Sequence, residues 1–251
     1  MSYILWYLKE EKSVKLFAAL ENQDVANEVS LTTKSSENEI TVYANIGDAE
    51  GFKQALNKTR QTDYVAKFEK DGCKARVRVV ETEDSKRLEY TIKIKNPGDE
   101  GAVASSTEYT IEVDEAFLEG FKSIAEAPIV KDRYVFETKE VTITVGEEET
   151  KTIQVEGIIY EVDVFEKNTS QCKIDIEVDK VLEVIKDVSP DAKVNILAKV
   201  SHLPFKPTGV FSSFSGGKDK LGAFWDTVKG VQKEEEPVEV ASKEPKESEV
   251  A

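Results

Sequence analysis

Six short stretches of the chain place charged residues at every second position, each mostly of one sign. Arg76 and Arg78 lie in KARVRVV (74–80), Lys93 and Lys95 in YTIKIK (90–95), and Lys131 and Arg133 in IVKDRYVF (129–136). Glu108 and Glu112 lie in TEYTIEVD (107–114), Glu161 and Asp163 in IYEVDVF (159–165), and Asp175 and Glu177 in CKIDIEVD (172–179). Side chains two apart on a strand share a face. Each stretch therefore presents its charges on one side and Val, Ile, Tyr or Phe on the other. Such strands side by side would line one surface with groups of cations and groups of carboxylates, the chemistry that takes a polyanion together with a divalent metal. The bland alternative is a solvated sheet face, on which Lys, Glu and Thr are at home. Like charges two apart on a strand repel, so a merely solvated face gains from mixing signs, and here the signs are sorted.

Composition narrows the chemistry. The 251 residues carry a formal charge of −15, which argues against duplex nucleic acid bound across the whole surface and leaves room for a local basic pocket. There is one histidine, His202, so a metal would be held by carboxylates, which favours Mg²⁺, Mn²⁺ or Ca²⁺. His202 sits beside a Pro-rich loop and reads as a surface or packing residue. Cys73 and Cys172 read as reduced residues of an intracellular protein. The apolar run YILWYL (3–8) is too short to span a bilayer and lacks the features of a signal peptide, so the expected location is the cytoplasm, with no membrane partner.

Several elements must position these residues. In 27–46 two alternating strands are expected around a turn at Lys34–Glu37, followed by a helix within 47–60 capped by Asp48. A hairpin over 63–81 follows, then strands at 87–95 and 105–113, and a capped helix at 114–125 with Phe117, Leu118 and Phe121 on one side. A long hairpin spans 128–167, with a further strand at 172–178, a helix at 179–188 and a buried apolar run at 193–200. Residues 201–217 read as a loop. Residues 219–230 form an amphipathic helix with Leu221, Phe224, Trp225 and Val228 on one face. SGGKDK (215–220) lacks the preceding strand of a phosphate loop. The last twenty residues hold seven Glu and three Lys and read as a disordered acidic tail. Hairpins with occasional helices, and no strand–helix alternation, predict an α+β fold: a mostly antiparallel β-barrel with a few peripheral helices. The expected divisions are an N-terminal extension at 1–36, a barrel at 37–200, a loop and helix at 201–230, and the tail at 231–251.

The order of these motifs resembles the CYTH group, the triphosphate tunnel metalloenzymes. The resemblance is carried by KARVRVV, YTIKIKNP (90–97), STEYTIEV (106–113), IVKDRYVF and IYEVDVFEKNTSQCKIDIEV (159–178), and runs from about Glu37 to Val200. It implies a barrel whose polar interior grips a triphosphate and holds Mg²⁺ or Mn²⁺. Carried over residue by residue, Arg76, Arg78, Lys93, Lys95, Lys131 and Arg133 would bind phosphate oxygens. Glu108 and Glu112 would orient these cations. Glu39, Glu161, Asp163, Asp175 and Glu177 would hold metal, and Glu39, Lys93 and Arg133 would take part in catalysis. The family's first strand carries E-x-E-x-K. The nearest match is Glu37-Asn38-Glu39-Ile40-Thr41, so Thr41 stands where lysine is expected.

Three functions are consistent with this reading. The first, favoured by the resemblance, is a metal-dependent phosphohydrolase acting on a triphosphate-bearing substrate. The second, favoured by Thr41, is a catalytically degenerate barrel that binds or sequesters a phosphorylated small molecule or nucleotide. The third is a protein-interaction module using helix 219–230.

Overall fold

Along the strands, apolar residues face the outside of a curved sheet and charged residues face its inside, the reverse of a solvated barrel. The computed structural model describes residues 32–67, 73–95, 104–145, 149–179, 194–196, 200–212 and 218–231. The strands are β1 (Thr32–Asn45), β2 (Asn57–Val65), β3 (Cys73–Glu81), β4 (Lys86–Lys95), β5 (Ala104–Glu112), β6 (Ile129–Val145), β7 (Glu149–Phe165), β8 (Asn168–Glu177), β9 (Val194–Ile196) and β10 (Thr208–Phe211). Two α-helices are described, α1 (Glu115–Lys122) and α2 (Lys218–Lys229), with 3₁₀ turns at Ala49–Gln54 and Val200–His202.

The described strands form one sheet in the order β10-β1-β5-β4-β3-β2-β6-β7-β8, with β9 on β6. All pairings are antiparallel, as the α+β expectation requires. The sheet curls until β8 meets β1 again. β1 gives its first half, Thr32–Glu39, to β5 and its second, Glu39–Asn45, to β8. The two seams overlap only at Glu39, so the wall is a barrel that is not closed over its full height.

The outer face carries the core. Val77, Leu88, Tyr90, Ile92 and Ile111 pack beneath α1 through Leu118 and Phe121. Ile158, Tyr160, Val162, Ile174 and Ile176 pack beneath Val200, Leu203 and Phe205. Helix α1 starts where its sequence directs, with the Asp114 side chain accepting from Phe117 N–H. Asp48 caps the first 3₁₀ turn in the same manner. That turn lies close against the following loop: a Cβ on Gly51 would stand 2.3 Å from the Pro204 carbonyl, so only glycine fits.

Three expectations are corrected. Residues 34–37 are strand rather than turn, so the wall begins five residues ahead of Glu37, at Thr32. The helix expected over 47–60 is a short 3₁₀ turn, and 57–65 is β2. The loop at 201–217 contains β10. Helix α2 packs on the protein itself: Phe224 and Val228 are buried with Tyr43, Phe165 and Phe211. Residues 1–31, the helix at 179–188 beyond its first residue, and the tail from 232 lie outside the described residues. Both cysteines are free. Among the described residues no helix is long and apolar enough to cross a membrane.

Candidate functional site

The inner faces of the strands converge on a cavity of about 210 Å³. Six cations line it, Arg76, Arg78, Lys93, Lys131, Arg133 and Lys173, with six carboxylates, Glu39, Asp63, Glu108, Glu161, Asp163 and Asp175. At one end the lining is apolar: Val65 of β2, Ile129 of β6 and Phe165 of β7 stand at the same inward register, with Trp225 of α2 beside them. Phe165 and Trp225 meet edge to face, with centroids 5.6 Å apart. The other end shares Glu39, Arg76, Arg78, Glu108, Arg133, Glu161 and Asp175 with a wider vestibule of about 500 Å³, whose rim adds Glu89, Glu177 and Asp179. The site is thus a channel with an aromatic end, a mixed-charge middle and an acidic rim.

Sheet register explains how the charges meet. In several strand pairs a cation stands opposite a carboxylate, while β8 carries both signs and Glu161 of β7 lies opposite Asp175. Arg78 lies opposite Asp63 and Arg133 opposite Asp163. Lys93 lies opposite Glu108, and Lys173 opposite Asp163. Arg78 grips Asp63 with both arms of its fork, at 2.6 and 2.9 Å. Asp163, fully buried, accepts from Lys131 Nζ at 2.5 Å and from Arg133 Nε at 2.7 Å and Nη2 at 2.9 Å. The second arm of Arg133 donates to Glu161. Lys93 bridges Glu39 at 3.3 Å and Glu108 at 3.1 Å. Asp175 accepts from Lys173 and from the Thr41 hydroxyl, the latter at 2.6 Å. Arg76 is the least satisfied: its nearest carboxylate contact is Glu108 at 3.6 Å, and its buried Nε has no hydrogen-bond partner.

These contacts set the protonation states. Burial alone would raise the Asp63 carboxyl, but Arg78 and Lys131 outweigh it and hold it far below the usual range. The same contest leaves Asp163 depressed by Lys131 and Arg133, Asp175 by Lys173, and Glu108 by Arg76 and Lys93. Burial lowers Arg76, and Arg78 beside it lowers it further. Lys173 is raised: burial works against its charge, but Asp175, Asp163 and Glu39 prevail. Lys131 goes the other way, to about 8, because burial exceeds the pull of Asp163 and two arginines oppose its charge.

Of the residues singled out by sequence, Arg76, Arg78, Lys93, Lys131, Arg133, Glu39, Glu108, Glu161, Asp163 and Asp175 line the cavity. Glu177 reaches only the exposed rim. Lys95 and Glu112 are exposed and line neither space. They share a face with Lys93 and Glu108, but two or four residues along a strand is about 7 or 13 Å, enough to leave the cavity. Most of the cavity's cations hold one of the protein's own carboxylates.

Asp63 and Lys173 are site residues that the sequence reading missed. Lys173 was legible, standing two before Asp175 and hence on its face. Asp63 is less legible: it opens the hairpin expected over 63–81, and no second acidic residue follows at alternate spacing. His202 packs edge-on against Tyr160 outside the channel, with centroids 5.5 Å apart.

Mg²⁺ or Mn²⁺ requires several oxygens around one point. Glu39, Glu161, Asp175 and Glu177 are suitable donors on neighbouring strands, but among the described residues no three acidic, His or Cys side chains are gathered for a metal. Asp163 spends both oxygens on Lys131 and Arg133. The carboxylates are held in ion pairs, and the arrangement does not fit a pre-formed metal site.

The fold and site define a class: an antiparallel barrel-like sheet with a charged interior. No protein-family model matches the chain, and no curated protein does. Among solved structures it is similar to the PH1012 protein of Pyrococcus horikoshii OT3, at 18% identity over 62% of this chain and 94% of that one, with a TM-score of 0.39. A conserved hypothetical protein of Pyrococcus furiosus is 20% identical over 62% of this chain and 94% of its own, with a TM-score of 0.37. The PH1819 protein of P. horikoshii is 14% identical over 61% and 86%, with a TM-score of 0.36.

Proposed function

We propose that the channel binds a polyphosphate, the triphosphate group of an inorganic or organic ligand, and that the chain is a divergent relative of the triphosphate tunnel metalloenzymes. The carrying observation is the convergence of six cations from β3, β4, β6 and β8 on one enclosed space, with Arg76 at its junction with the vestibule and its Nε unmatched. Guanidinium forks suit phosphate oxygens, and a low-dielectric cavity strengthens each contact. The apolar end of the channel does not suit phosphate, so any organic part of the ligand is best placed toward the vestibule. Thermal-shift titration with inorganic triphosphate, pyrophosphate and orthophosphate tests this: melting temperature rises, most with triphosphate. No shift with any of them overturns it.

Hydrolysis of the bound phosphoanhydride is the second reading, favoured by Lys131. A buried amine titrating near 8 at the edge of the cavity is suited to take a proton from an attacking water or give one to a departing phosphate oxygen. Phosphate release with Mg²⁺ or Mn²⁺ is the check, and its absence leaves binding as the function.

A further inference from the structure

The lining changes character along the channel. Arg76, Arg78 and Arg133 border both the cavity and the vestibule, whereas Lys93, Lys131 and Lys173 border the cavity alone. Beyond the arginines the vestibule adds Asn38, Glu89, Thr91, Thr110, Glu177 and Asp179. Among the described residues lining this space of about 500 Å³, none is aromatic or aliphatic. Phe165 and Trp225 stand in the cavity instead.

Register gives these groups their depth. Lys93 lies opposite Glu108. Two residues outward on the same face, a step of about 7 Å, Thr91 lies opposite Arg76 on one side and Thr110 on the other. The two threonine hydroxyls are 3.1 Å apart. One proton serves that bond, so the pair keeps a second donor and spare lone pairs for a third group. One step further out stands the carboxylate of Glu89, opposite Arg78. Across the vestibule, Asn38 donates to Asp179 at 2.5 Å. A group esterified to a phosphate at Arg76 therefore meets hydroxyls first and carboxylates next.

We infer that the vestibule is a subsite for a sugar esterified to the phosphate chain, and that it offers no stacking surface to an aromatic base. This rests on the polyphosphate reading above and names the organic part of its ligand. Sugar hydroxyls donate to carboxylates and exchange bonds with threonine, and a bond to a charged acceptor is about twice as strong as a neutral one. A base gains its affinity from stacking on rings. Set against this lining it would cover polar groups without replacing their hydration.

Calorimetric titration of the full chain, without added metal, tests this. The ligands are the 5′-triphosphates of adenosine and uridine, their 2′,3′-dideoxy counterparts, and inorganic triphosphate. Each ribose form should bind about fivefold to tenfold more tightly than its dideoxy form, the effect of a lost hydrogen bond. The adenosine and uridine forms should agree within about twofold, since stacking is what separates them. The ratio of ribose to dideoxy affinity should fall toward one in Thr110→Val, whose melting temperature checks folding. Equal binding of ribose and dideoxy forms by the wild type overturns the sugar subsite. So does an undiminished ratio in folded Thr110→Val, or a preference of about tenfold or more for adenosine over uridine. With inorganic triphosphate still bound, those results leave the polyphosphate reading intact. Binding of none of the ligands overturns the polyphosphate reading itself.

Discussion

Asp163 concentrates the problem this interior has to solve. It is fully buried and holds Lys131 and Arg133 at once. Asp163→Asn leaves two buried cations facing an amide, which should cost about 3–5 kcal/mol in urea denaturation. A loss below about 1 kcal/mol would mean the network is slack. Lys131 sets a pH dependence of its own. Asp163 and Asp63 favour its charge, while Arg78, Arg133 and burial oppose it, leaving it near 8. Below that pH the amine is charged and attracts anions; above it the charge is lost. Triphosphate affinity should therefore fall as pH rises through 8, by up to about tenfold per unit for one proton. Lys131→Arg stays charged and should remove that limb; an unchanged profile would assign the titration elsewhere. Sequence alternation made these side chains legible as a face. It could not give depth along the face, which is why Lys95 and Glu112 looked equivalent to Lys93 and Glu108.

The elements divide the work between an apolar outside and a charged inside. The six charged strands were legible because their periodicity of two is strict. The start of the wall was not. TTKSSENEITVYAN contains a polar run that reads as a turn, but pairing with β5 along Thr32–Glu39 holds it extended. β2 was obscured because GDAEGFKQALNK carries helical spacing, which tertiary contact overrides: Gly51 seats the turn on Pro204, and Phe52 stacks on Phe205 at 4.7 Å. Helix α2 was visible, but its destination was not. Tyr43, Phe165 and Phe211 come from three strands and become one apolar surface only when the sheet curls. Phe224, 1% exposed, anchors the helix there. Phe224→Ala should cost about 3–5 kcal/mol in chemical denaturation. A negligible loss would mean that α2 does not contribute to the apolar end.

At the scale of the molecule, a chain of net charge −15 encloses six cations. On the polyphosphate reading proposed above, the excess negative charge would discourage polyanions in general and confine recognition to the interior cations. The rim of Glu89, Glu177 and Asp179 is acidic. Arg76 stands where the channel meets the vestibule, and it is the cation least satisfied by the protein itself. The most direct measurement is the dissociation constant for inorganic triphosphate, by calorimetry in the presence of Mg²⁺, for wild type and Arg76→Ala. The account predicts saturable one-to-one binding by the wild type and a loss of affinity of about tenfold or more in the variant, as for a charged hydrogen bond of about 1.5–3 kcal/mol. Equal affinity in the two proteins, or no binding by the wild type, would contradict it.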